Sequence, residues 1–272
     1  MIDLLRIAIG LVCSALIGGA AYWRGALTRS GWLGAILTGT LTFGFGGWAW
    51  GLTLIAFFIS STALSKLGEA EKLRRAGDMF AKGGRRDIWQ TLANGGIGAL
   101  LALLYGVLGE PAAPLALFVG VMATVTADTW ATEIGTLSAA RPVSIVTWRA
   151  VAPGTSGGIS LPGTLATVGG ALFIGLMFAG LRWWERGAVA PALVVAGLIG
   201  GVAGSLSDSL LGATLQAIYR GVSGETERRA DDAGRPNPML RGLGWMTNDA
   251  VNLTSSLIGG AVALLVALAL SR

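Results

Sequence analysis

Two carboxylates interrupt a lipid-compatible run, TVTADTWATEIG at residues 124–135: Asp128 and Glu133, ringed by Thr124, Thr126, Thr129 and Thr132. An acid at membrane depth is costly unless it is paired, hydrated or bound to a cation, so this stretch is a functional-site candidate by default. A second acid-bearing run, GSLSDSLLG at 204–212, puts Ser205, Asp208, Ser209 and Gly212 on one helical face by i, i+3, i+4 spacing. Further along, Asn248, Asp249 and Asn252 open the last apolar run. Two or three carboxylates backed by amides and hydroxyls suit a hard divalent cation. Asp128 and Asp208 are expected to hold Mg2+ or Mn2+, with Glu133 and Asp249 completing or tuning the shell. The plainer alternative is that each acid pairs with a loop arginine or hydrogen-bonds a neighbouring helix.

Two segments suit phosphate. VAPGTSGGIS, 151–160, is a Gly-rich turn entering a helix, where Gly154, Thr155, Ser156 and Gly157 expose amides and hydroxyls to an anion. Its alternative is a flexible loop ending in a helix cap. KGGRRDIWQTLANGG, 82–96, places Lys82, Arg85 and Arg86 before the membrane and Asn94 inside it. A positive-inside anchor explains the basic residues but not Asn94. With Lys66, these cations are expected to bind a triphosphate. Neither a GxxxxGK[ST] loop nor a protein-kinase signature is present. Nucleotide chemistry therefore needs a membrane-specific site, in which positioning and electrostatics do most of the work.

Composition sets the frame for these residues. The chain has 272 residues, 53% hydrophobic and 13% charged, with 43 glycines, which reads as an all-α polytopic membrane bundle. Histidine is absent, which excludes Ser-His-Asp triads, His general bases and His-ligated zinc. The one cysteine, Cys13, permits no intramolecular disulfide. The net charge of +5 sits in loops without an aromatic-interleaved stripe, so nucleic acid is not an expected partner.

Apolar runs predict about eight helices, at 3–22, 30–45, 47–65, 88–108, 113–135, 160–181, 189–216 and 249–270, in a single integral-membrane domain spanning 1–272. The first is read as a retained helix rather than a cleaved signal. The second and third are short and split only by glycines, so one of them is a candidate re-entrant segment. Loops near 66–87, 136–156 and 217–248 should share one face, the cytoplasmic one, because the first two carry an excess of Lys and Arg and an even helix count brings the third to the same side. The intramembrane acids and amides then gather near that face of the cell (inner) membrane. A weak internal parallel repeat relates GVMATVTADT, 120–129, to GVAGSLSDS, 201–209, making Asp128 and Asp208 counterparts.

The segments QTLANGG, TADTWATEIG, PGTSGGIS followed by LPGT, GSLSDSLLGATLQ and GLGWMTNDAVN resemble, in order and spacing over residues 30–270, an integral-membrane family containing plant phytyl-phosphate kinase and animal transmembrane protein 19. The resemblance implies phosphorylation of an isoprenoid monophosphate, phytyl or polyprenyl, to its diphosphate, with CTP or another nucleoside triphosphate as donor. In plants that reaction feeds tocopherol biosynthesis. Carried onto matching positions, Asn94, Asp128, Glu133, Ser156, Asp208, Asn248 and Asp249 form the polar heart of the site; Asn252, by helix spacing rather than by the resemblance, faces the same region as Asn248 and is a candidate binding residue. The rival from another class is a transporter or flippase of lipid phosphates or ions, which needs a site reachable from both faces.

Overall fold

The computed structural model describes residues 3–80, 84–187, 190–222 and 224–271. Each apolar run becomes a helix, because lipid offers the backbone no other hydrogen-bond partner. The long helices are α1 (Leu4–Trp23), α2 (Arg29–Gly46), α3 (Trp48–Lys66), α5 (Ile88–Val107), α6 (Ala112–Leu137), α7 (Leu161–Arg186), α8 (Pro191–Thr214) and α9 (Asn248–Leu270), with a short α4 (Glu69–Ala76) between α3 and α5. The expected spans are recovered with shifts of a few residues at their ends. Seven of the long helices are apolar and long enough to cross a membrane, and the protein is a polytopic helical bundle.

The exception is α2. Gly31, Gly34, Thr38, Thr42, Gly44 and Gly46 are all buried along it, so its small face packs into protein, chiefly α1 and α5. It turns into α3 at Gly47, whose φ of +93° only glycine adopts easily. The second and third apolar runs are therefore two separate helices that meet at Gly47.

Close helix approach fixes the centre of the bundle. A Cβ on Gly200 of α8 would lie 2.5 Å from the Gly259 carbonyl of α9, so the two backbones touch where any side chain would hold them apart. At the end of the bundle where α6 begins, Trp50, Tyr105, Phe118 and Phe178 fill the interior, with Trp50 and Phe118 ring centroids 4.2 Å apart.

The opposite end carries a polar cap made by the long connections. Arg75 on α4 donates to the Ser138 carbonyl at 2.7 Å, Thr226 Oγ1 to the Asp78 carbonyl at 2.8 Å, and the Glu227 amide to the Met79 carbonyl at 2.9 Å. The connections near 66–87, 136–156 and 217–248 thus meet at one end of the bundle. All three hold structure that the hydropathy pattern does not predict: α4 in the first, and short strands in or beside the other two. β1 (Val143–Ser144) pairs with β2 (Gly158–Ile159), and β3 (Ile218–Gly221), β4 (Gly224–Thr226) and β5 (Met239–Arg241) form an antiparallel sheet in the order β4-β3-β5. Strands of two to four residues leave too little alternation to read.

Candidate active site

Beneath the cap lies a polar cavity of about 410 Å3, a volume typical of small-ligand sites. Helices α6 and α8 both end at the cap, so each brings an acid to the cavity within its last three turns: Asp128 from α6 and Asp208 from α8. The two carboxylates are near enough to interact electrostatically. Ser255 of α9 donates to Asp208 Oδ2 at 2.8 Å, whereas Asp128 takes no hydrogen bond or ion pair among the described residues. Helices α5, α7 and α9 start at the same end, contributing Gln90, Ser160 and Asn248 to the wall, and their amino-terminal dipoles favour an anion there.

The Gly-rich turn forms part of this wall through Gly154, Thr155, Ser156 and Gly157. Its conformation requires glycine: φ is +82° at Gly154 and +80° at Gly157. A Cβ on Gly157 would sit 2.6 Å from the Ser209 carbonyl, only one residue beyond Asp208. The amides of Gly154, Ser156 and Gly157 meet no protein acceptor among the described residues, which leaves them free for a ligand. Gly157→Ala is expected to cost roughly 1–3 kcal/mol of stability through strain at that φ and to lower turnover by displacing the turn. Gly180→Ala, at a position open to space, serves as the control. Thermal unfolding and turnover of both variants test this, and unchanged turnover in Gly157→Ala would remove the turn from the site.

Charge balance decides what the cavity accepts. Its described lining holds five acids, Glu69, Asp128, Glu133, Asp208 and Glu227, against three bases, Lys72, Arg86 and Arg228. Two surplus carboxylates repel a bare phosphate and match one divalent cation. Among the described residues no three acids, cysteines or histidines converge as a metal cage. That donor set fits Mg2+, which commonly takes one or two carboxylates and completes its shell with phosphate oxygens and water. Asp128 and Asp208 would hold it, with the amides of Asn248 and Asn252 on the same wall.

Glu133, expected as a metal ligand, is committed elsewhere. Its carboxylate is ion-paired to Lys72 of α4 and accepts from Ser65 Oγ at 2.5 Å, while Lys72 Nζ also donates to the last carbonyls of α3, Leu64 at 2.7 Å and Ser65 at 2.8 Å. A carboxylate neutralised by lysine is a poor ligand, so Glu133 acts here as a strut between α6 and the cap.

Other expectations are also redirected. Lys66 Nζ reaches the Arg24 carbonyl at 3.4 Å, and Arg85 donates to the Leu27 carbonyl at 3.1 Å beneath the Tyr22 ring; neither lines the cavity. Both cations clamp the α1–α2 connection. Asp249 also stays off the wall, in the first turn of α9, where an acid favours the helix dipole. Asn94 lines a separate apolar slot. Lys82 lies outside the described residues. Arg86 does reach the cavity; burial pulls its guanidinium below the ordinary value and the Glu133 charge offsets part of that, and arginine remains a cation.

Sequence reasoning missed Lys72, Gln216, Glu227 and Arg228. Gln216 Nε2 donates to Glu227 Oε1 at 2.7 Å, and Ser156 Oγ meets the same oxygen at 3.3 Å, tying the sheet loop to the Gly-rich turn. Arg228 Nε holds the Phe80 carbonyl at 3.2 Å. The available signal was the charge density of ETERR, 225–229, inside a loop predicted to share the site's face.

Fold and site together define a polytopic membrane protein with an acid-lined polar cavity at one end of its helical bundle. The chain belongs to the family described as Integral membrane protein DUF92, which it matches over residues 12–260. It is 32% identical to Protein PGR of Arabidopsis thaliana over 93% of both chains. An uncharacterised membrane protein of Methanocaldococcus jannaschii is 29% identical over 98% of this chain and 96% of its own. The chloroplastic Protein VTE6 of Arabidopsis thaliana is 28% identical over 88% of this chain and 65% of its own. No solved structure matches.

Proposed function

We propose that the protein is a membrane kinase that converts an isoprenoid monophosphate, phytyl or polyprenyl, into its diphosphate with a nucleoside triphosphate and Mg2+. The observation that carries this reading is the Asp128–Asp208 pair facing a cavity walled by the Gly-rich turn. The motif resemblance to the family of phytyl-phosphate kinase, with VTE6 among the relatives, supplies the substrate class.

The chemistry asks little of the side chains. The acceptor is already a phosphate, largely dianionic at neutral pH, so its oxygen attacks the γ-phosphorus without a base to strip a proton. One P–O bond forms to the acceptor, the bond to the β-phosphate breaks, and the nucleoside diphosphate leaves with that electron pair. The lack of histidine is no obstacle. Asp128 and Asp208 would hold Mg2+, which would supply charge neutralisation of the phosphates. The amides of Gly154, Ser156 and Gly157 hold a transferring or leaving phosphate, and Arg86 and Arg228 offset remaining negative charge. The cap, rich in Lys and Arg, faces the cytoplasm in this reading, where the nucleotide is.

A transporter would open the same site toward the far face. The interior there is packed by Trp50, Tyr105, Phe118 and Phe178, which favours the enzyme. Purified protein supplied with Mg2+, phytyl or geranylgeranyl monophosphate and each labelled nucleoside triphosphate in turn should yield labelled prenyl diphosphate that disappears with EDTA. Folded protein that binds the lipid phosphate yet forms no diphosphate with any donor would move the reading to transport.

A further inference from the structure

We propose that an apolar slot between α1, α2, α3 and α5 holds the first isoprene unit of the lipid phosphate, with Arg86 gripping the phosphate where slot and polar cavity meet. This rests on the lipid-phosphate reading above and adds where the lipid lies. The slot, about 110 Å3, is walled by Cys13, Thr38, Ile55, Phe58 and Asn94. Arg86 and Gln90 line both it and the polar cavity, so the two spaces share a wall. A molecule anionic at one end and oily at the other places each part in matching surroundings across that wall. A nucleotide has nothing to fill the oily side, and a neutral lipid has no use for the guanidinium.

Arg86 is held for such a role. Its amide donates to the Ala26 carbonyl at 3.0 Å and its own carbonyl accepts from the Thr28 amide at 3.0 Å, so the backbone cannot drift. The guanidinium donates to Thr62 Oγ1 at 3.2 Å and lies 5.7 Å from the Phe58 ring centroid, with no carboxylate at ion-pair distance among the described residues. Glu133 offsets part of its charge from beyond ion-pair distance, and the remainder is available to a phosphate. Asn94, one helical turn beyond Gln90 on α5, lines the slot, and its side chain makes no hydrogen bond among the described residues. It offers an amide to the ester oxygen that joins phosphate to chain.

Size sets how much chain is recognised. A buried apolar cavity of roughly 150 Å3 accepts one benzene, so this slot takes about one five-carbon unit. The remainder runs out into the bilayer, beside exposed Leu16 on α1 and Ile59 on α3. Affinity is therefore expected to be similar for geranyl, farnesyl and geranylgeranyl monophosphates.

Cys13 is the sole cysteine and is exposed in the slot wall, which allows the slot to be filled chemically after folding. Protein in lipid nanodiscs is treated with benzyl methanethiosulfonate, complete labelling is verified by mass, and binding of labelled farnesyl monophosphate is measured. Affinity should fall about tenfold or more through lost apolar contact and recover with dithiothreitol, and the reagent should make no difference between treated and untreated Cys13→Ala. Unaltered binding by fully labelled protein would overturn the slot while leaving the lipid-phosphate reading intact. A steep rise in affinity from geranyl to geranylgeranyl would overturn the one-unit limit. Folded, unlabelled protein that binds no prenyl monophosphate would overturn the lipid-phosphate reading, and the slot with it.

Discussion

Asp128→Asn is expected to lower prenyl-phosphate kinase turnover by roughly 10^2–10^3, the equivalent of about 3–4 kcal/mol of transition-state stabilisation. The substitution keeps shape and removes a cavity-facing charge that has no ion-pair partner among the described residues. Because Asp128 takes no hydrogen bond or ion pair among the described residues, the amide breaks nothing in the fold. Relief of its repulsion with Asp208 should leave the metal-free protein as stable as the parent or slightly more so. Thermal unfolding with and without Mg2+ separates the two effects: the parent gains stability from the cation by mass action, and the variant should lose most of that gain. A variant that kept more than about a tenth of parental turnover would refute the metal assignment, since a lost ligand charge should cost well over 1.4 kcal/mol. Asp208→Asn should behave alike in turnover, with Ser255 still able to donate to the remaining carbonyl oxygen.

Lys72→Met is expected to destabilise the protein by about 3–5 kcal/mol, the usual cost of removing one partner from a buried ion pair. Lysine here satisfies three acceptors at once: the Glu133 carboxylate and the carbonyls of Leu64 and Ser65 at the end of α3. Methionine fills most of the volume and none of those bonds. Glu133 would be left half-buried with the Ser65 hydroxyl as its remaining donor. Lys72→Met/Glu133→Gln should recover a large part of the loss, because the amide carries no charge to strand. Unfolding midpoints of the two single variants and the double variant in detergent measure the coupling directly. If Lys72→Met matched the parent within about 0.5 kcal/mol, the strut would have no energetic standing. The result also bears on mechanism, since a folded Lys72→Met/Glu133→Gln protein with near-parental turnover would show that Glu133 serves the fold rather than the metal.

Much of the architecture was legible because membrane helices announce themselves by length and hydropathy, and because alternate crossings tell which helix ends share a face. The run predicted at 113–135 became Ala112–Leu137, and that at 249–270 became Asn248–Leu270. Short α4 escaped notice: EAEKLRRA has no spanning run, and eight residues of charged amphipathic helix look like any polar loop. The cap sheet escaped for the same reason, its strands being two to four residues long.

The candidate site divides along similar lines. Residue type and helix period placed Asp128, Asp208, Asn248, Asn252 and the 154–157 turn at one membrane depth, and all of them line the cavity. Lys66, Arg85, Asn94 and Asp249 stand at that depth too, yet on faces turned to other partners. Depth follows from position along a helix, which the sequence by itself determines. Azimuth follows from which helices pack against which, and that depends on close approaches such as Gly200 on Gly259 between segments far apart in the chain. The pairing of Lys72 with Glu133 across sixty-one residues, and the shared wall at Arg86, were decided only by tertiary structure, because no local pattern encodes where two distant side chains will meet.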